Sequence, residues 1–227
     1  MNTAKGQWTV HPMILDGIEM DAETFDRLNA DDQFGDWTME LIGGKLYTKF
    51  ASSFPPPALD YLTPVFTPDE GDIDPIMPSN AKASEFSAYI TIELGIFLRE
   101  NNLGRVTGEN GGYMVAGQRV APDVTFIAHD KGDLDDNGYN RMPPDLAVEV
   151  EYHVTKASAR NLKDKLAAYA AAGTVVWVVY PERRMVEVFV PGEIVRVYDA
   201  DGTIDGGTVL PGFTLSVGTM FDRVFGE

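Results

Sequence analysis

Apolar residues recur at two periods along this chain, and the changes between them mark its elements. Between Ser79 and Asn101, Phe86, Ile90, Leu94 and Phe97 follow each other at three- and four-residue steps, with Tyr89 and Leu98 beside them. That is the stripe of an amphipathic helix. Ser79 or Asn80 can cap its start, and Asn101-Asn102 with Gly104 end it. DAETFDRL predicts a short helix with Phe25 and Leu28 inward and Asp21 as N-cap. A third helix is predicted from about Ser158 to Ala172, stopped by Gly173. Leu162, Leu166, Tyr169 and Ala170 make its apolar stripe, and Lys165 lies at the edge of that stripe.

Elsewhere the period shortens to two, or the run is wholly apolar. MELIGGKLYTKF reads as two strands turning at Gly43-Gly44, because a glycine pair between alternating apolar residues suits a hairpin. Arg105 to Val115 is strand-like but broken at Gly111-Gly112, and PDVTFIA (122–128) is a short strand beginning at a proline. LAVEV (146–150) and VVWVVYP (175–181) look largely buried, and MVEVFV with EIVRVYD form a hairpin across Pro191-Gly192. Two strands joined by a crossover helix are usually parallel, with a right-handed connection. The expected fold is α/β: a mixed central sheet flanked by helices, with N-terminal and C-terminal β-hairpins, in one domain over residues 1–227.

Composition narrows the partners. Of 227 residues, 18 are Lys or Arg and 35 are Asp or Glu, so the formal charge is −17. Such a chain is no general polyanion binder, and contact with nucleic acid needs a local basic patch or bound cations. One patch exists: from Lys156 to Arg184 six basic residues face two acidic ones, a local +4. There is no cysteine, which removes disulfides, thiolate zinc sites and a Cys nucleophile. The N-terminal stretch has no basic flank before an apolar core, and the longest apolar run, Thr174 to Tyr180, is short of the ~20 residues of a membrane span. A cytoplasmic protein without membrane contact is expected. Residues 51–80 hold seven prolines and five acids but no Lys or Arg, and so predict an extended insertion or arm.

The candidate chemistry lies on two strands and a helix. Glu149 sits inside the apolar strand LAVEV, where a lone carboxylate costs several kcal/mol unless paired or metal-bound. Strand alternation puts Glu151 on the same face, and the start of PDVTFI can offer Asp123 from a sheet neighbour. Such oxygen ligands suit a hard divalent cation. The plainer alternatives are Glu149 at an open sheet edge, or paired with Lys165 or Arg160. Lys165 can lay its stem along the buried face and bring its ammonium to the sheet's rim, where it could steady developing phosphoryl charge or simply bridge to Glu149. His11, His129 and His153 show no zinc spacing, and there is no GxSxG elbow or P-loop.

In order, MELIGGKLY, RVTGENGGYMV, VAPDVTFI, PPDLAVEV, the run from Leu162 to Gly192, and GTVLPGFTLSVGTMF resemble the Uma-two family, a restriction-endonuclease-like group of the PD-(D/E)xK superfamily. The resemblance covers roughly residues 20–225. It implies a Mg²⁺- or Mn²⁺-dependent endonuclease that hydrolyses phosphodiester bonds, most readily in DNA, and acts as a homodimer. It implies Asp123 and Glu149 as metal ligands, Lys165 as the catalytic cation in place of the usual strand Lys, and Tyr169 and Arg160 against the nucleic acid. The chain departs from the pattern at Glu151, which stands where that strand Lys belongs, and at Tyr152-His153-Val154. Glu40, Glu85, Glu93 and Glu109 are all candidates for a further acid. The altered motif leaves a competing expectation: a degraded nuclease fold serving as a protein-interaction module.

Overall fold

The structure is a computed structural model that describes residues 19–30, 37–50, 80–152 and 156–226. The arm expected over 51–80 lies outside them except for Asn80, as do His153 and Val154.

The short N-terminal helix forms where expected, as α1 (Ala22–Asn29), with the Asp21 side chain accepting from the Thr24 backbone N–H at 2.7 Å. The glycine pair turns β1 (Trp37–Ile42) into β2 (Lys45–Phe50). Gly43 and Gly44 both have positive φ, +57° and +75°, the requirement of a tight hairpin turn that other residues rarely meet. The long helix is α2 (Ala81–Asn101). Asn80 caps its start, and Asn102 ends it in the left-handed region (φ 47°), its N–H returning to the Leu98 carbonyl.

Six strands then form the main sheet: β3 (Gly104–Gly108), β6 (Val124–Ala128), β7 (Leu146–Val150), β8 (Val175–Tyr180), β9 (Met185–Phe189) and β10 (Arg196–Tyr198). They lie in the order β10-β9-β8-β7-β6-β3. Only β7 and β8 are parallel, and the crossover between them is α3 (Lys156–Ala172), as the pattern predicted. The other neighbours in the sheet are antiparallel, β9–β10 being the expected hairpin. A second sheet, ordered β2-β1-β5-β4, adds β4 (Tyr113–Val115) and β5 (Gln118–Val120) to the N-terminal hairpin. The sequence pattern gave no sign of β5, a three-residue strand made by the turn at Ala116-Gly117.

The two faces of the main sheet meet different partners. Val124, Phe126, Leu146, Val148, Trp177 and Val179 pack against α2 and the C-terminal helix α4 (Val217–Phe225). That helix and the preceding pair β11 (Thr203–Asp205) and β12 (Thr214–Ser216) were not predicted. Each strand has only three residues, too few to establish a period. On the opposite face Ile127, Ala147, Val176 and Val178 pack against Leu162, Ala168 and Tyr169 of α3 and against Ile42, Tyr113, Val115 and Val120 of the small sheet. So α3 is held between the two sheets. Among the described residues no helix is long and apolar enough to cross a membrane.

The α3 stripe differs from expectation. Leu162, Lys165, Ala168 and Tyr169 form its buried face, while Leu166 is half-buried and Ala170 exposed. Covering by the small sheet turns this face inward, and Lys165 lies within it rather than at its edge.

Candidate active site

Strand alternation decides what the layer around α3 contains. Ala147 and Glu149 point from β7 toward α3, while Leu146 and Val148 point toward α2. On β6 the same rule sends Ile127, Thr125 and Asp123 to the α3 side. The β6–β7 ladder is antiparallel with Val124 opposite Val148, so its next step sets Asp123 opposite Glu149. Cross-strand neighbours of this kind have Cβ atoms about 4.5–5.5 Å apart. Two backbone hydrogen bonds fix the pair: Asp123 N–H donates to the Val148 carbonyl at 3.0 Å, and Val150 N–H donates to Asp123 Oδ2 at 2.7 Å.

Above Glu149, two successive turns of α3 converge on its carboxylate. Lys165 Nζ donates to Oε2 at 3.2 Å, and the Tyr169 hydroxyl donates to Oε1 at 2.7 Å. Helical side chains lean toward the N-terminus, which lets residues four apart reach the same point. A third acid enters from the small sheet. Glu40 lies on the same face of β1 as Ile42, and its Oε1 takes Lys165 Nζ at 2.9 Å and the Ala121 backbone N–H at 2.7 Å. Lys165 therefore bridges two carboxylates from two different sheets. Glu149, Lys165 and Glu40 are 2 %, 4 % and 1 % exposed, so the cluster reaches solvent mainly through Asp123, which is half-buried.

Burial pushes the Tyr169 hydroxyl well above the ordinary tyrosine range, and the carboxylates of Glu149, Glu40 and Asp123 push it the same way. It is a fixed donor to Glu149. The ring is fully buried, so the contact with nucleic acid expected of Tyr169 has no surface to act through. Arg160, the other residue expected there, is exposed, as are Lys163 on the same helix and Arg183 just after β8. Glu151 follows β7, its N–H donating to the Val179 carbonyl at 2.9 Å. It lies near Tyr180, whose hydroxyl is raised by burial, then by Glu187, to which it donates at 3.2 Å, and further by Glu151. Arg183 sits over the Tyr180 ring.

Of the four candidates for a further acid, Glu40 joins the cluster. Glu85 pairs with Lys82 on α2, Glu93 lies beside Tyr89, and Glu109 is exposed in the turn after β3. Its signal was already present in the sequence: an acid inside an apolar strand, as for Glu149. Glu40 and Glu149 differ only in that the strand holding Glu40 is paired to a distant part of the chain.

The donor set suits a hard divalent cation. Three carboxylates face one ammonium in a volume with little water, and the excess of two negative charges matches one such ion. Among the described residues no group of three or more acids or histidines forms a ready-made cage. Mg²⁺ commonly uses only one or two protein carboxylates, taking its remaining oxygens from water and substrate.

The chain was compared with known proteins. A family model described as "Uma2: Putative restriction endonuclease" matches residues 66–218. That span holds Asp123, Glu149, Lys165 and Tyr169 but not Glu40. Among solved structures the chain is similar to one titled a "putative nuclease belonging to DUF820" from Anabaena variabilis ATCC 29413. The TM-score is 0.61 at 15 % identity, over 82 % of this chain and 91 % of that one, a likeness of fold. No curated protein matches the chain.

Proposed function

The chain belongs to the Uma2 family, and on that premise we propose that it is a Mg²⁺- or Mn²⁺-dependent endonuclease with its active site at Asp123, Glu149 and Lys165. The observation that carries this reading is the facing pair Asp123 and Glu149 on adjacent strands, with the Lys165 ammonium 3.2 Å from Glu149. Asp123 and Glu149 would hold the cation, which when bound polarises a phosphoryl oxygen and makes water a stronger nucleophile at neutral pH. Hydrolysis adds water across a P–O bond, giving a phosphate monoester and a free hydroxyl.

The chain's own residues supply the rest. Tyr169 fixes the rotamer of Glu149 through Oε1, and the Val150 N–H fixes Asp123 through Oδ2. Lys165 places a positive charge beside the acids, where charge gathering on the phosphoryl oxygens in the transition state is stabilised by a preorganised cation. Glu40 holds that ammonium in place, a positioning role. Arg160, with Lys163 and Arg183, supplies an exposed basic surface for the phosphates flanking the scissile bond. The substrate is taken to be DNA, and the acting species a homodimer, which presents two such sites to two strands.

The test is cleavage of supercoiled plasmid in Mn²⁺ by the parent and by Asp123→Ala. Loss of a group that anchors charge stabilisation should slow cutting by about 100-fold or more. A variant that cuts as fast as the parent removes the proposal. A specific observation favours a second reading, a protein-interaction module on a nuclease fold: both Glu149 oxygens are already engaged by Lys165 and Tyr169. A parent that neither binds Mn²⁺ nor cuts DNA would leave that reading standing.

A further inference from the structure

The row of side chains that α3 sends toward the carboxylates does not end at Lys165. Asn161, Lys165 and Tyr169 are four residues apart, and each step of four turns the helix by about 40° while advancing about 6 Å. Lys165 and Tyr169 both end on Glu149. Asn161 continues the row one turn closer to the helix N-terminus. It lies past Glu149, over the end of β7 where Asp123 opens to solvent. Its Oδ1 is shut off from solvent, with no hydrogen-bond partner. An amide oxygen left so costs about 1–3 kcal/mol.

An orphaned carbonyl oxygen can be satisfied only by a hydrogen-bond donor or a cation; phosphate oxygens, which are acceptors, cannot do it. Lys165, the cation at this face, is committed to Glu40 and Glu149. We propose that Asn161 completes the divalent-cation site of Asp123 and Glu149, its Oδ1 accepting from the hydration shell of the ion. The assignment rests on the cation site proposed above and adds to it a neutral oxygen from the helix. An amide suits the place, since a fourth carboxylate would deepen the excess negative charge. Asn161 is thus a positioning residue, acting through water on the ion.

Calorimetric titration of the full chain with Mn²⁺ alone, without nucleic acid, tests this. Asn161→Ala should bind Mn²⁺ about 10-fold more weakly than the parent, as is typical when an outer-shell partner is lost. Its thermal midpoint in EDTA should be no lower than the parent's, because the orphaned oxygen is gone. Asn161→Asp keeps an acceptor at the same reach and adds charge, and should bind at least as tightly as the parent. Parental affinity in Asn161→Ala, alongside lost binding in Asp123→Ala, overturns the role of Asn161 and leaves the Asp123–Glu149 site intact. Parental affinity in both variants, or a parent that binds no Mn²⁺, overturns the two together. Weaker binding by Asn161→Asp than by Asn161→Ala also overturns it, since that pattern belongs to a donor.

Discussion

Lys165 shows how one buried side chain can hold a site together. Its ammonium meets Glu40 at 2.9 Å and Glu149 at 3.2 Å, and all three groups are almost wholly removed from water. A buried pair of this sort contributes little net stability, because desolvation offsets much of the attraction, but losing one partner strands the other. Its value here is positional: it fixes two acids and a cation in one orientation before any substrate arrives. Tyr169 belongs to the same unit, and its raised pKa has a direction that can be measured. In the unfolded chain a tyrosine hydroxyl ionises near pH 10, whereas in the fold burial and the neighbouring carboxylates hold its proton to higher pH. Above about pH 10 the unfolded state therefore binds fewer protons than the folded one, and stability falls as pH rises. The stabilisation is fully present below pH 10. Urea unfolding of Tyr169→Phe between pH 8 and 11 should show a shallower alkaline decline than the parent. An equally steep decline would assign the effect to Tyr89 and Tyr180, which are shifted the same way.

At the scale of elements, three pieces of chain meet at the site, and each arrives by a different rule. β7 carries Glu149 by alternation, and α3 carries Lys165 and Tyr169 by its four-residue step. β1 carries Glu40 because the Gly43-Gly44 turn folds its hairpin onto β5, where Leu41 pairs with Arg119. The Arg119 guanidinium in turn grips both oxygens of Asp26 on α1, at 2.7 and 2.5 Å, tying the first helix to the small sheet. β6 must lie flat against β3 for Asp123 to face Glu149, and Gly104 permits this. A Cβ at Gly104 would stand 2.1 Å from the Ile127 carbonyl oxygen and 2.6 Å from the Phe126 ring. The obstacle includes backbone, so it cannot swing aside. Gly104→Ala should lower the urea-unfolding free energy by about 1–3 kcal/mol, the usual cost of overpacking. An unchanged midpoint would mean that β3 and β6 pair more loosely than their register indicates.

Across the whole molecule, charge sets the terms of any encounter with nucleic acid. At −17 the chain repels a polyanion at long range, so the exposed cations near the site must act locally. Arg160→Ala should weaken DNA binding about equally for different sequences and flatten the salt dependence by about one counterion, as measured by anisotropy from low to moderate salt. An unaltered slope would place the DNA elsewhere. Much of this architecture was legible in the sequence. The caps of α1 and α2, the glycine turn, the crossover helix and the β9–β10 hairpin all follow from local period and local backbone freedom. Asp123, Glu149 and Lys165 stood out too, because charge inside an apolar strand or beside an apolar stripe breaks the pattern around it. The three-residue strands and the C-terminal helix did not emerge, since so few residues carry no period. Nor could sequence choose Glu40 among four acids, show that Tyr169 is sealed inside, or reveal that Asn161 lacks a partner. Those depend on which faces meet across distant parts of the chain. Periodicity fixes where a side chain points relative to its own backbone, while packing between the two sheets decides what it meets there.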